Sequence, residues 1–381
     1  MKKIYTHETS FEDENQMIDF LKGLKKTDVC YDCYIEEGRI HSIKDDCALF
    51  DPTTVAGFYG MPLDSVVENA INECVEGLAC VWTGPVEGIQ KTIPISTLAL
   101  DSLADRAGLR GRAIIKKPTI LNEGFELWDR TDDNIMRVLI RNGSMLAAHS
   151  DKYSWLSQAD LVETNKVMFT AEFGDYKFEQ GVYSDEVTYA LYMLPNQAKS
   201  LLEIYNKKAK KLGEKVATDL VPAIVFSTSD TTRSAASLWA AMVSPSGRAV
   251  RLGDSKKLVH SGAHTIADYV ANCDNMLDML KNSVKRLEKL LSIELLYPEN
   301  CFQNMVKAFS LMGAAANEAY EDFCIKRGGK VTAHSLFWSI WNISAIEEAK
   351  GASVSRLMDI EEKLARIIFA DWKRFDTPMT N

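Results

Sequence analysis

Apolar residues recur along this chain with two different periods, and the change between them divides it. Up to about residue 255, short alternating or continuous apolar runs mix with helical spacings; beyond it the spacing is almost entirely helical. Residues 11–26 predict a short amphipathic helix. Residues 28–35 and 38–43 follow as a candidate hairpin turning at Glu36-Glu37-Gly38. Pro62 opens a helix through Val66, Val67, Ala70, Ile71 and Cys74 that Gly77 ends, and 78–82 reads as a strand. A helix over 96–107 stops at Gly108, and a second, over about 122–142, carries Leu127, Trp128, Ile135, Val138 and Leu139.

The chain then turns on Asn142-Gly143 into an apolar strand, 145–148. A helical segment at 161–169 precedes paired strands at 176–182 and 186–194, joined through Tyr183-Ser184-Asp185. Residues 196–212 predict a helix, 220–227 and 236–243 are apolar runs of strand length, and 248–252 returns antiparallel after a Ser244-Pro245-Ser246-Gly247 turn. Ile266, Val270, Cys273, Leu277, Leu280, Val284, Leu287 and Leu291 lie alternately four and three apart, which predicts one sustained helix. Helices over 333–349 and 354–372 complete the chain. The expected class is α+β, a mixed or antiparallel sheet core with flanking helices and an all-helical C-terminal third. The expected division is 1–90, 91–260 and 261–381.

Composition narrows the setting. With 46% hydrophobic and 25% charged residues the chain is an ordinary globular one, and its 381 residues suffice for two domains. No window is apolar enough for a membrane span, and no apolar stretch follows Lys2-Lys3, so neither membrane nor export is expected and the cytoplasm is the default. Eight dispersed cysteines read as free thiols. A net charge of −9 argues against a basic coat, although one basic groove is compatible with it.

Several constellations invite chemistry. Residues 137–155 deliver His149, Ser150, Asp151, Lys152 and Tyr153 to the end of a strand, without a complete catalytic signature. Cys30 and Cys33, with His41 and Cys47, have half of a zinc-knuckle spacing, but in one strand the first two face opposite sides. His260, His264 and Asp268 would form one row on a helix, where a solvated face is the simpler account. Ser227 and Ser229 lack a nucleophile elbow and read as hydroxyls satisfying nearby backbone groups. Neither GxxxxGK[ST] nor GxGxxG occurs, so no cofactor, metal or catalytic residue is assigned.

Basic residues are more suggestive together. Arg106, Arg110, Arg112, Lys116 and Lys117 crowd the exit of one predicted helix, and Arg130, Arg137 and Arg141 line the next. Arg233, Arg248 and Arg251 flank the later hairpin, with Trp128, Tyr153, Trp155 and Trp239 interleaved. Arginines that hold phosphates beside aromatics that stack on bases are the pattern of single-strand binders.

The segments LALDSLADRAGLRGRAI and MLAAHSDKYSWLSQADLVE resemble phage- and plasmid-encoded proteins that carry a widespread domain of unknown function. There a Leu-Ala-rich helix precedes a Ser-Asp-(Arg/Lys)-Tyr strand end, matched here by Leu98, Ala99, Leu100, Leu103 and Ala104, then Ser150 to Tyr153. VPAIVFSTSDTTRSAASLWAAMV and RAVRLGDSKKLVHSGAHT extend the likeness over roughly residues 95–350. A Cys-x-Asn-Gly type segment common in those relatives is replaced here by Met242 to Gly247.

The resemblance implies a recombination-associated protein that binds or anneals single-stranded DNA without ATP. Arg110, Arg112, Arg130, Arg137, Arg141, Lys152, Arg248 and Arg251 would then hold phosphates, and Tyr153 would stack on a base. A self-associated form and a host or phage protein partner are further expectations. The alternatives are a factor acting on a host or rival-element protein, and a hydrolase or metal enzyme built on His149, Ser150, Asp151 and Lys152 with the His260/His264 pair.

Overall fold

Two six-stranded sheets organise the chain. The structure is a computed structural model that describes residues 8–65, 67, 68, 71, 80–109, 117–129, 135–213, 220–231, 233–244, 249–326 and 328–378. The first elements are β1 (Thr9–Phe11), α1 (Glu14–Thr27), β2 (Val29–Tyr34), β3 (Arg39–Ser42), α2 (Lys44–Leu49) and α3 (Pro52–Phe58). Next come β4 (Cys80–Val86), β5 (Ile89–Ile95), α4 (Thr97–Arg106), α5 (Pro118–Asp129), β6 (Ile135–Arg141) and β7 (Ser144–Ser150). Then follow α6 (Gln158–Phe173), β8 (Lys177–Tyr183), β9 (Thr188–Met193), α7 (Ala198–Lys211), β10 (Val221–Thr228), β11 (Ala236–Val243) and β12 (Ala249–Leu258). The C-terminal helices are α8 (Ile266–Asn272), α9 (Met276–Leu290), α10 (Pro298–Ala308), α11 (Ala314–Lys326), α12 (Ala333–Ala349), α13 (Val354–Arg366) and α14 (Trp372–Phe375).

The first sheet runs β2-β6-β7-β5-β4-β3 and is antiparallel except where β5 meets β7, Ile95 opposite Met145. One of its faces packs Ile40, Trp82, Ile93, Met136 and Val138 against Leu100 and Leu103 of α4 and Leu121 and Phe125 of α5. Each such side chain taken out of water contributes about 1.5–3 kcal/mol. Trp82 fits there because Gly38 and Gly84 carry no side chain: a Cβ would lie 2.2 Å from its ring at the first and 2.6 Å at the second.

The second sheet runs β1-β8-β9-β10-β11-β12, antiparallel throughout. Every residue of β11 is buried, and all of β10 but Val221. A strand covered on both faces needs apolar residues at every position, which is why these two read as continuous runs and not as alternation. Helix α9 supplies part of the cover: Met276, Met279, Leu280, Val284, Leu287 and Leu290 form its buried stripe. Helix α12 is buried on nearly all sides, through Leu336, Phe337, Ile340, Trp341 and Ile343, as a helix almost free of charge must be. Among the described residues 266–375, regular structure is helical apart from one isolated bridge between Glu294 and Thr332. The molecule is α+β, with the helical C-terminal third expected from the spacing.

Four expectations change. The segment expected to end a helix at residue 142 is strand β6, and α5 stops at Asp129. Met136, Val138 and Ile140 enter the core cluster while Arg137 and Arg141 take the other face, so the period is two. Irregular pairing between Leu139 and Ile140 disguised it. Strands β2 and β3 both form but do not pair, because they lie on opposite edges of the sheet. The long C-terminal seam is two helices, broken where Asn275 takes φ +61. Of the helix expected from Pro62 through Cys74, residues 66, 69, 70 and 72–74 lie outside the described residues. The sheets also cut across residue 90, since β4 and β5 form one hairpin and β1 joins the second sheet.

Candidate functional site

The face of the first sheet turned away from α4 and α5 is partly polar. Register places Asp32 of β2, Arg137 of β6 and His149 of β7 in one row, and Cys30, Leu139 and Ala147 in the next on the same side. Three connections close over this face: those after β7, after β10 and before α8. They are tied to one another through the backbone. Ser154 donates its N–H to the His260 carbonyl at 2.8 Å, Gly262 donates to Lys152 at 2.8 Å, and Tyr153 bridges to Ser261. Ser154 Oγ accepts from the His264 N–H at 2.9 Å.

Arg141 is the centre of this seam. Its side chain is 5% exposed, yet it ends β6 beside two carboxylates that are themselves nearly buried. The guanidinium donates to Asp28 through Nε at 2.8 Å and Nη2 at 2.5 Å, to Asp230 through Nη2 at 2.9 Å, and to the Tyr183 hydroxyl through Nη1 at 2.7 Å. Asp28 closes α1, Asp230 follows β10 and Tyr183 ends β8, so one planar cation joins the first sheet to three elements of the second unit. Burial holds the Asp28 carboxyl above its ordinary range even with the guanidinium beside it. Burial opposes the charge on Arg141 too, but the hydrogen bond to Asp28 and the charge of Asp230 outweigh it.

Behind the triad stand three stacked rings. The His149 and Tyr153 centroids are 3.7 Å apart at 10°, and Tyr153 and His260 are 5.2 Å apart at 11°. The Tyr153 hydroxyl donates to the Ser229 carbonyl at 3.1 Å, and His149 Nε2 is 2.7 Å from the Asp230 carbonyl oxygen. Burial pushes the His149 imidazole down to about 4 and also lowers that of His260, while it raises the Tyr153 phenol. Both imidazoles are therefore neutral near pH 7, and a neutral His149 ring donates from Nε2 to the carbonyl it faces.

A cavity of about 420 Å³ opens beside the triad. Leu21, Leu24, Leu139, Trp155, Leu156 and Ile266 form its apolar wall, and Asp28, Arg141, Asp230, Gln158 and His264 supply the polar part. Among the described residues only Oδ2 of Asp230 is engaged among its carboxylate oxygens. An apolar wall, a few converging polar groups and burial-shifted titratable groups thus meet at this cavity.

The residues expected to touch nucleic acid divide into three sets. Arg110, Arg112, Arg130 and Arg248 lie outside the described residues. Arg141, Arg251 and Tyr153 are buried, so they do not present the charge or ring a strand would need. Arg251, fully buried, stands 3.3 Å from Glu361 and over the Trp239 ring. Arg137, 30% exposed, pairs with Asp32 and donates to the Tyr153 carbonyl, and Lys152 is exposed.

The other constellations disperse. Cys30 and Cys33 take opposite faces of β2, His41 lies on the far edge strand, and Cys47 belongs to a separate core cluster. His260 and His264 precede α8, which starts only after its Thr265 cap, so no helical row of three exists. Among the described residues no three His, Cys, Asp or Glu side chains are grouped to hold a metal. Ser150, Asp151 and Lys152 are exposed while His149 is buried. Ser229 Oγ donates to the Glu186 carbonyl and accepts from Thr231, the backbone-satisfying role its composition suggested. Sequence reasoning missed Asp28 and Asp230; each is a lone acid in a connection, with no periodic signal to mark it.

Comparison with family models, curated proteins and solved structures returns no match for the chain. Among the described residues no helix is long and apolar enough to cross a membrane.

Proposed function

We propose that the protein is a small-molecule-binding protein whose ligand sits in the seam between the two sheets. The cavity beside the Asp28–Arg141–Asp230 triad carries this reading: its volume falls in the range of about 300–1,000 Å³ typical of ligand pockets, and its walls come from both halves of the chain. A ligand held there binds the assembled protein and not the unfolded chain. It stabilises the fold by about 2.7 kcal/mol at a hundredfold excess over its Kd.

Cys30→Trp provides the control, because Cys30 sits on an edge strand at the cavity wall and a larger ring grows into the open volume. A thermal-shift screen of a metabolite panel should return compounds that raise the melting temperature of the wild type and leave Cys30→Trp unchanged. A panel that shifts both proteins equally would place the binding elsewhere.

A second reading, binding of single-stranded nucleic acid and its annealing, draws on one observation. Arg106 donates to the His149 carbonyl, Arg137 to that of Tyr153, Lys152 follows directly, and Arg233 reaches Asp101 on α4, so four cations gather about the end of β7. Phosphates would have to displace Asp32 and Asp101 from two of them. Fluorescence anisotropy with a labelled oligonucleotide tests it. Binding should weaken with salt, and Lys152→Ala should reduce the slope by about one; no binding at low salt removes the reading.

A further inference from the structure

Resting on the seam-pocket reading above, the charges that line the cavity also select a chemical class of ligand. Lys25 is spent on Asp160, with Nζ 2.7 Å from Oδ2. Two helices begin at the cavity, α6 and α8, and a helix start attracts anions. Asp268 answers the start of α8 within a capping box with Thr265, and Asp160, in the first turn of α6, is the acid that pairs with Lys25. Arg141 faces two carboxylates with one positive charge. Of the charged side chains that line the cavity, three are carboxylates, Asp28, Asp160 and Asp230, against the two cations Lys25 and Arg141, and among the described residues Asp230 Oδ1 makes no hydrogen bond.

Beside Asp28, Arg141, Gln158 and His264, much of the wall is apolar, through Leu21, Leu24, Leu139, Leu156, Ile266 and Trp155, an aromatic ring of the kind that attracts cations. The site therefore combines a carboxylate acceptor, an excess of negative over positive side chains and an apolar wall. We propose that the cavity binds a small organic cation, an ammonium or amidinium group carried on an apolar or aromatic body, with the cationic nitrogen on Asp230 and the body against Leu21, Leu139 and Trp155. An anion would meet Asp230 without compensation, and a neutral isostere would leave its charge unanswered. In a partly buried site either difference exceeds what the same pair would show in water.

Three probes of one shape separate the possibilities: benzylammonium, benzyl alcohol and benzoate, each titrated calorimetrically into the full-length protein at pH 7. Benzylammonium should bind about tenfold or more tightly than either isostere, and Asp230→Asn, which keeps an acceptor for Arg141, should erase that preference. Preference for the alcohol or benzoate, or equal binding of all three, overturns the cation class while leaving a pocket that binds small molecules. Binding by none of the three in the wild type overturns the cation class. If Cys30→Trp also leaves every thermal shift unchanged, the seam-pocket reading falls with it. The wild-type ranking needs no variant, so a poorly folding Asp230→Asn does not suspend the test.

Discussion

Arg141→Met is the sharpest perturbation of the seam, because methionine keeps much of the length of the side chain and none of its charge or donors. Four hydrogen bonds disappear: two to Asp28, one to Asp230 and one to Tyr183. Both carboxylates are left with side chains only 10% and 12% exposed and no opposite charge. Removing one partner of a buried ion pair typically costs about 3–5 kcal/mol, most of it the penalty of the charge left behind. The control is Arg233→Met, whose partner Asp101 is 57% exposed and whose loss should lie within about 1 kcal/mol.

The loss at Arg141 should also depend on pH. Without the guanidinium, burial raises the Asp28 pKa further above its value in the unfolded chain. The cost is then full at high pH and shrinks as pH falls and the buried carboxyl takes up a proton. Urea unfolding followed by far-UV circular dichroism and tryptophan fluorescence, at pH 8 and pH 5, measures both effects as differences from the wild type. A loss no larger than that of Arg233→Met, or one that grows towards acid pH, would refute the assignment of Arg141 as the joint between the sheets.

Two further expectations concern the layers around it. His149 has a folded pKa of about 4 against an ordinary 6.5, so its contribution is complete above about pH 6.5 and is lost as pH falls towards 4, at about 1.4 kcal/mol per pH unit. His149→Phe, which keeps the stack on Tyr153, should flatten that limb of the stability curve, and an unchanged limb would show that another group carries it. Gly38→Ala would bring a methyl group to 2.2 Å from Trp82 and should cost about 1–3 kcal/mol, whereas Gly143→Ala meets open space and pays only for φ +76, about 1 kcal/mol. Thermal unfolding of the two variants checks the order, and a smaller loss at Gly38 would contradict the packing of Trp82.

Local signals carried much of the fold. Ser96, Ser157, Thr332 and Ser353 cap the helices that follow them, and Asn142-Gly143 takes positive φ at both positions, 52° and 76°, as a tight hairpin requires. The continuous apolar runs of β10 and β11 pointed to strands by length alone. What stayed hidden depends on partners distant in sequence. Nothing near Val29 or Arg39 says that β2 pairs with β6 and β3 with β4, so two adjacent strands looked like a hairpin. Arg137 and Arg141 lie four apart, a spacing that fits a helix face as well as alternate positions on a strand with irregular pairing. Burial changed the reading of Arg141 and Arg251, and it is not local either: Arg141 is neutralised by Asp28, 113 positions away, and Asp230, 89 positions away. The segment ending at Tyr153 lies in the seam, where its tyrosine is a packed ring and not an exposed stacking platform.

The central claim, that the seam holds a ligand, is tested most directly by the indole N–H resonances of the protein. Of its seven tryptophans only Trp155 borders the cavity, while Trp338, Trp341 and Trp372 lie in the helical third. A nitrogen-labelled sample, with the Trp155 signal assigned through Trp155→Phe, is titrated with benzylammonium or with the strongest compound from the thermal screen. The account predicts a saturable shift of the Trp155 resonance that Cys30→Trp abolishes. A saturable shift confined to Trp338, Trp341 or Trp372, with Trp155 unmoved, would contradict it.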